Sequence, residues 1–352
     1  MNGIPPHFST ECLKAHSFSP NMVCMSTSSG EPNIFPGNWT VKTQQLLRTY
    51  EQSFVQDWNP VTLAWDSLDP SGLDVKERVA QAYWMAKLAL FEKSGIGAFG
   101  TAMLKAAMSD MEDPTKKFLA AVTFDECRHD EVCRRACNKL CPNFPYKYNA
   151  TTDFEKRALK NILALYDNGR RYWDGFMKAW DKYPLELIFS SFFFAEIGAQ
   201  LIFKTVSELS NIKLYKEAFQ NVTVDESRHL AGTLSLLDNL ARDFEQDQKL
   251  MITRQMKHGF IFLSPLLYRP ISIFWQLPKD FDEIDLEMEG VARDSGLGVP
   301  TLDEKSKGWL KAIERRREQV EKLGIPIPAI HEIDLEGAEV DVRKDEPIAT
   351  PF

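Results

Sequence analysis

The chain has 352 residues, a formal net charge of −8, 44% hydrophobic residues and 26% charged residues. This is the composition of a globular protein that is long enough to bury a sizeable core. The acidic balance argues against nucleic acid or an anionic membrane surface as the main partner, and no lysine- or arginine-rich block offsets it.

Long helical patterns dominate the chain after an irregular start. Residues 1–38 are rich in Ser, Pro, Gly and Asn and show no period, so we expect an irregular N-terminal arm. From Trp39 onward, apolar residues recur at helical spacing with few breakers. The predicted helices are, in order, 39–56, 74–108, 114–140, 152–181, 184–210, 212–244, 246–263 (ended by Pro265) and 303–323.

This pattern predicts an all-α protein in three parts. They are the arm over 1–38, a helical domain over 39–275 and a C-terminal helical extension and tail over 276–352. The most apolar segments, 187–203 and 259–267, are interrupted by Glu196 and Pro265, so we expect no membrane span. No signal peptide is visible, and four of the six cysteines fall in one predicted helix, which favours a reducing, cytoplasmic setting.

One short motif occurs twice. Thr123–His129 reads T-F-D-E-C-R-H, and Thr223–His229 reads T-V-D-E-S-R-H. Each copy follows a predicted helix that carries one acid in an apolar stretch, Glu92 in the first case and Glu196 in the second. Two similar helix pairs related by a pseudo-twofold axis would form a four-helix core.

The repeated motif predicts a site for two metal ions. Glu and His three residues apart project from the same face of a helix. Two such pairs, with one Glu from each of two other helices, form the ligand pattern of dimetal carboxylate bundles. Four carboxylates also balance the charge of two divalent cations, which lets the cluster be buried. The predicted ligands are Glu92, Glu126, His129, Glu196, Glu226 and His229. Mixed carboxylate and imidazole ligation favours iron, with manganese as the alternative.

Residues beside the ligands are predicted to support them. A metal-bound histidine needs an acceptor for its other ring nitrogen, usually a carboxylate. In antiparallel packing, Asp225 could reach His129 and Asp125 could reach His229. The charges of these aspartates would be balanced by the arginines of the same motifs, Arg128 and Arg228.

The two motifs and the two isolated acids resemble the ferritin-like di-iron carboxylate superfamily. This superfamily includes multicomponent monooxygenase hydroxylases, the small ribonucleotide reductase subunit, acyl-carrier-protein desaturases and p-aminobenzoate N-oxygenase-like enzymes. The resemblance covers about residues 75–240. It implies a ferritin-like four-helix bundle, two iron ions, O2 as co-substrate and a small organic substrate bound beside the metals. A homodimer is a further expectation. No flavin, haem or iron–sulfur motif is visible, so the electrons would come from an external ferredoxin or reductase.

Departures from the family patterns narrow the expected chemistry. Cys133 lies where ribonucleotide reductase subunits usually carry a radical tyrosine, which argues against a tyrosyl radical; methane monooxygenase hydroxylases have a cysteine there. Gln200 replaces the threonine of those hydroxylases. Val222 replaces an additional histidine ligand of the N-oxygenases, which weakens that assignment. Desaturases are similar in size and spacing, but no basic surface marks a carrier-protein site.

A substrate beside the metals would contact residues one helical turn from the ligands. These are Leu88, Ile96, Phe99, Thr123, Cys133, Phe192 and Gln200, of which Thr123, Cys133 and Gln200 are the candidates for catalytic roles. The apolar members fit an ordinary bundle core equally well, and Thr123 could simply bond to the preceding turn. His258 is predicted to be structural. Gly95, Gly97 and Gly100 follow Glu92 and predict close packing, a kink or room for substrate.

The predicted function is an O2-dependent di-iron oxygenase that acts on a small organic substrate. An amine N-oxygenase or a desaturase is the alternative among enzymes of the same superfamily. The alternative from another class is a ferroxidase, metal-storage or peroxide-scavenging protein. The chain length and the helices outside the bundle argue against ferritin-type storage.

Overall fold

The computed structural model describes residues 39–182, 186, 190–271 and 274–342. The predicted arm over 1–38 and the end of the predicted tail, 343–352, lie outside these residues. The α-helices, in chain order, are α1 Gln44–Val55, α2 Val75–Ala107, α3 Asp113–Leu140, α4 Asp153–Lys182, α5 Phe192–Leu209, α6 Lys213–Leu240, α7 Gln246–Leu267, α8 Phe281–Ala292 and α9 Leu302–Glu321. The only β pairing in the described part is two isolated bridges near its C-terminal end. The predicted all-α fold is confirmed.

Two helix pairs form the core of the molecule. Helix α2 packs along α3, α5 packs along α6, and α3 contacts α6 across the middle. This is the predicted four-helix core. The other helices cover it: α1 lies over α3 and α6, α4 lies against α2, and α7 lies against α5. Helix α2 is buried continuously from Val79 to Glu92, because α3, α4 and α8 pack around it.

Several helix predictions differ from the structure. The first helix begins at Gln44 and not at 39, the helix predicted over 212–244 ends at Leu240, and α8 was not predicted as a separate helix. Helix α5 is described from Phe192, and most of the predicted start at 184–191 lies outside the described residues. Helix α7 continues past Pro265 to Leu267, so the predicted end is wrong. Proline costs a helix because it leaves the carbonyl four residues earlier without its donor. Here that carbonyl, on Ile261, accepts hydrogen bonds from the indole Nε1 of Trp275 at 2.8 Å and from Ser264 Oγ at 2.7 Å.

Buried ion pairs attach the C-terminal extension to the bundle. The ammonium of Lys87 on α2 donates to Asp285 at 2.8 Å and to Glu289 at 3.0 Å, both on α8. Lys305 on α9 donates to Glu289 at 2.7 Å. Burial alone would lower the pKa of Lys87, but the two carboxylates raise it, so the lysine stays charged. No helix in the described part of the chain is both long and apolar enough to cross a bilayer.

Candidate metal centre

The four core helices bring the six predicted ligands together. Helix α2 contributes Glu92 and α5 contributes Glu196, while α3 and α6 each contribute one Glu–His pair. All six side chains lie in the interior, and the residues are between 1% and 5% exposed. Four carboxyl groups and two imidazoles therefore share one buried space in the middle of the bundle.

The two histidines point the same ring atom into this cluster. Nδ1 of His129 lies 3.2 Å from Glu92 Oε2 and 3.2 Å from Glu226 Oε1. Nδ1 of His229 lies 3.4 Å from one oxygen each of Glu126, Glu196 and Glu226. Glu226 thus turns one oxygen toward each histidine.

These contacts define two groups of potential metal ligands. One group contains Glu92, His129 and Glu226, and in each group the ligand atoms lie within 4.8 Å of one another. The other contains Glu126, Glu196, Glu226 and His229. Because Glu226 belongs to both groups, its carboxylate can bridge two ions.

Unpaired atoms and charge show that the cluster suits metal ions. Glu196 Oε2, Glu226 Oε2 and His229 Nδ1 are buried and make no hydrogen bond within the described structure. Buried polar atoms are nearly always paired, so a shared partner between these three atoms is expected. Burial raises the pKa of Glu92 to about 8 and also raises the pKa of Glu196. A divalent cation would supply both the missing partner and the compensating charge.

Behind each histidine lies the predicted aspartate. Nε2 of His129 is 3.2 Å from Asp225 Oδ2, and Nε2 of His229 is 3.1 Å from Asp125 Oδ2. A carboxylate accepts the Nε2 proton, which leaves the Nδ1 lone pair directed into the cluster. Each aspartate therefore orients the histidine of the opposite motif.

The two arginines connect the aspartates to each other. Nη2 of Arg128 donates to Asp125 at 2.5 Å and to Asp225 at 3.2 Å. Nη2 of Arg228 donates to Asp225 at 2.6 Å and to Asp125 at 3.0 Å. Burial would raise the pKa of Asp125, but the hydrogen bond with His229 and the nearby cations lower it to about 2. Both aspartates are thus held as carboxylates.

The segment that follows α1 completes this network, which sequence reasoning did not anticipate. Nε1 of Trp58 donates to Asp225 Oδ2 at 2.8 Å. Nη1 of Arg128 donates to Asp57 at 2.6 Å, and Nη1 of Arg228 donates to Gln56 at 2.7 Å. No spacing or repeat links residues 56–58 to the motifs, so nothing in the sequence marked them.

An apolar cavity of about 140 Å³ opens beside the cluster. Glu92, Glu126, Glu196 and Glu226 form part of its wall. The rest of the wall comes mainly from α2, α4, α5 and α7. Its aromatic residues are Phe91, Phe99, Tyr172, Trp173, Phe176, Phe192, Phe203 and Phe262. The acids that could hold metal ions thus face a space with aromatic walls.

Only part of the predicted pocket lines this cavity. Phe99 and Phe192 do, whereas Leu88, Ile96, Thr123, Cys133 and Gln200 do not. The hydroxyl of Thr123 donates to Leu119 O at 2.7 Å, Gln200 donates to Ser227 at 2.8 Å, and Cys133 is fully buried among core residues. A catalytic role for these three residues stays a prediction that the cavity lining does not support.

No family model and no curated protein sequence matches the chain. Solved structures that resemble it are R2-like ligand-binding oxidases. One, a point mutant with an aerobically reconstituted Mn/Fe cofactor, is 14% identical, with a TM-score of 0.47 over 78% of this chain and 93% of that chain. Another point mutant, with an aerobically reconstituted Fe/Fe cofactor, is 14% identical, with a TM-score of 0.46 over 78% of this chain and 92% of that chain. These likenesses are weak, and a function can be assigned only from the chain's own residues.

The absence of a side chain at Gly95 makes room for Glu126. A Cβ atom at Gly95 would overlap the Glu126 carboxylate, far inside contact distance. At Gly100, on the same helix, a Cβ atom would meet its nearest neighbour, Thr123, at an ordinary 3.6 Å. Close approach of α2 to a ligand carboxylate thus accounts for the first of these glycines.

We predict that Gly95→Ala displaces the Glu126 carboxylate and lowers the metal content. Atomic absorption after loading and desalting should show fewer bound ions per chain than in the wild type. The matched variant Gly100→Ala should keep the full metal content and gain up to about 1 kcal/mol of helix stability. Equal metal contents in both variants would contradict the placement of Glu126 in the centre.

We predict that Asp225→Asn weakens metal binding at the His129 side. Removing the charge behind a ligand histidine typically lowers metal affinity about 10-fold to 100-fold. Competition with a chelator would measure the change. Asp238→Asn is the control, because Asp238 lies on the same helix, at the surface, and pairs only with Arg242 among the described ion pairs. An unchanged affinity in Asp225→Asn would show that the aspartate does not act through His129.

Proposed function

We propose that the chain is a non-haem di-iron oxygenase that uses O2 to oxygenate a small organic substrate. The observation that carries this proposal is that the six buried ligand candidates adjoin an apolar cavity whose wall includes four of their carboxylates. A substrate in this cavity would lie directly beside the metals. A protein that only stored metal ions would have no use for an aromatic-walled space next to them.

The proposed reaction balances with an external reductant. One atom of O2 enters a C–H bond of the substrate as a hydroxyl group, and the other leaves as water. The balance requires two electrons and two protons per turnover. We propose a ferredoxin or a reductase as the electron source, because the sequence carries no cofactor motif of its own for this purpose. The chemistry that two bound iron ions supply is the reduction of O2.

The residues of the chain have separate tasks in this scheme. The six ligand candidates would hold the ions, and Glu226 belongs to both groups of candidates. Asp125 and Asp225 orient the imidazoles of His229 and His129. The aromatic walls bind an apolar molecule and exclude water, which protects a reactive centre from side reactions.

Further features of the proposal concern the metal and the setting. Manganese in place of one iron is compatible with a mixed carboxylate and imidazole site. Cys127, Cys133, Cys137 and Cys141 are free thiols, which supports a reducing compartment such as the cytoplasm. A homodimer is part of the proposal through the family resemblance alone.

Product analysis with isotopically labelled oxygen tests the proposed reaction. Protein loaded with Fe²⁺ without oxygen is mixed with a chemical reductant, a panel of ring-sized substrates and 18O2. We expect one 18O atom on a carbon of the product. Label on nitrogen would indicate an N-oxygenase, and loss of two hydrogens without label would indicate a desaturase. Uptake of many iron ions per chain without any organic product would overturn the proposal in favour of storage.

Two variants on α5 provide the matched comparison for this experiment. Glu196→Gln removes the charge of a buried ligand candidate and should abolish both full metal loading and product formation. Glu208→Gln alters an exposed acid whose partner is Lys204, 3.9 Å away, and should leave both unchanged. Normal turnover by Glu196→Gln would contradict the role assigned to the cluster.

A further inference from the structure

His258 is a buried histidine in the wall of the apolar cavity, separate from the metal centre. It lies on α7, a helix that contributes none of the six ligand candidates. The residue is 3% exposed, and it lines the same cavity as Glu92 and Glu196. Its ring packs edge-on against Phe274 with 5.4 Å between ring centroids. His258 therefore borders a site whose other walls are mainly apolar.

Both ring nitrogens of His258 lack a hydrogen-bond partner within the described part of the protein. An unpaired buried polar group destabilises a fold, and native structures rarely contain one without a reason. Two other polar groups of this wall are satisfied. Ser94 Oγ donates to Leu90 O at 3.0 Å, and Gln255 Oε1 accepts from Ser191 Oγ at 3.0 Å. Among the described wall residues outside the metal cluster, His258 is thus the one whose buried side-chain polar atoms lack a hydrogen-bond partner.

The dimensions and chemistry of the cavity limit what that partner can be. Its volume of about 140 Å³ is close to the ~150 Å³ of an engineered apolar cavity that binds benzene. Stacked and edge-on aromatic walls suit a flat ring. No lysine or arginine is among the described lining residues, so no basic side chain there would pair with an anionic group.

The protonation state of His258 agrees with a neutral partner. Burial lowers the pKa of His258 to about 3, and the charge of Lys257 lowers it further in the same direction. The imidazole is therefore neutral at physiological pH, with one nitrogen that donates and one that accepts. A hydroxyl or amino group can satisfy either atom.

We propose that His258 is a positioning residue that hydrogen-bonds the polar group of a neutral, ring-sized substrate. This proposal extends the proposed function. It rests on that function in one respect, namely that the cavity is the substrate site. The apolar ring would pack among the aromatic walls, and the hydrogen bond to α7 would fix its orientation beside the carboxylates. His258 thereby favours ring compounds with a hydroxyl or amino group over plain hydrocarbons.

Binding of phenol and toluene tests this assignment without any turnover. The two probes have nearly the same shape and differ in one hydroxyl group. Calorimetry with the metal-loaded protein, kept anaerobic and without reductant, gives both dissociation constants. We expect His258→Leu to weaken phenol binding about tenfold and to leave toluene binding equal or stronger. A general loss of packing would instead weaken both probes together.

Two more variants complete the experiment. His258→Gln keeps a donor and an acceptor and should restore part of the phenol affinity. This variant also keeps the test possible if His258→Leu fails to fold. His331→Leu changes a histidine whose side chain is 76% exposed and should change neither constant.

Three results would overturn the assignment. They are parallel losses for phenol and toluene, an unchanged phenol affinity in His258→Leu, and the absence of phenol binding to the wild type. Phenol selectivity that depends on His258, combined with no O2-dependent product, would overturn the proposed function but leave this assignment standing. O2-dependent product formation, combined with a phenol selectivity that does not depend on His258, would overturn this assignment but leave the proposed function standing.

Discussion

The burial of four carboxyl groups and two imidazoles in one space is the constraint on which the rest of the structure depends. Burial raises the pKa of Glu92 to about 8 and raises the pKa of Glu126 and Glu196 as well, so the charged cluster is costly without cations. Two divalent cations would neutralise it and pair its orphaned atoms. The close approach at Gly95 and the aspartates behind the histidines then follow as means of holding these six side chains in place.

The duplicated motif produces a nearly symmetric network, whereas the surroundings are not symmetric. Asp125, Asp225 and the two arginines form a crossed set of ion pairs that lies behind the histidines and is covered by residues 56–58. The cavity lies on the face formed by the carboxylates and is closed by α4 and α7, which are outside the repeat. The symmetric part therefore carries the six ligand candidates, and the elements added around it shape the adjoining cavity.

Local patterns in the sequence were sufficient for the helices other than α8 and for the convergence of the six ligand candidates. Each Glu–His pair lies on one helical face, and Glu92 and Glu196 stand out as acids in apolar stretches, so their meeting could be predicted. The cavity could not be predicted from the sequence, because its lining depends on how α4 and α7 pack against the bundle. For the same reason nothing in the sequence indicated that His258 lines the cavity, and Thr123, Cys133 and Gln200 were expected beside the substrate although they do not line it. The continuation of α7 past Pro265 likewise depends on Trp275, a distant residue.

The most direct test of this account is anomalous X-ray diffraction at the iron edge from crystals of the iron-loaded protein. We expect two anomalous peaks per chain inside the bundle, one next to Nδ1 of His129 and the other next to Nδ1 of His229. Glu226 should contact both peaks. A single peak, or peaks outside the space enclosed by the six residues, would contradict the account.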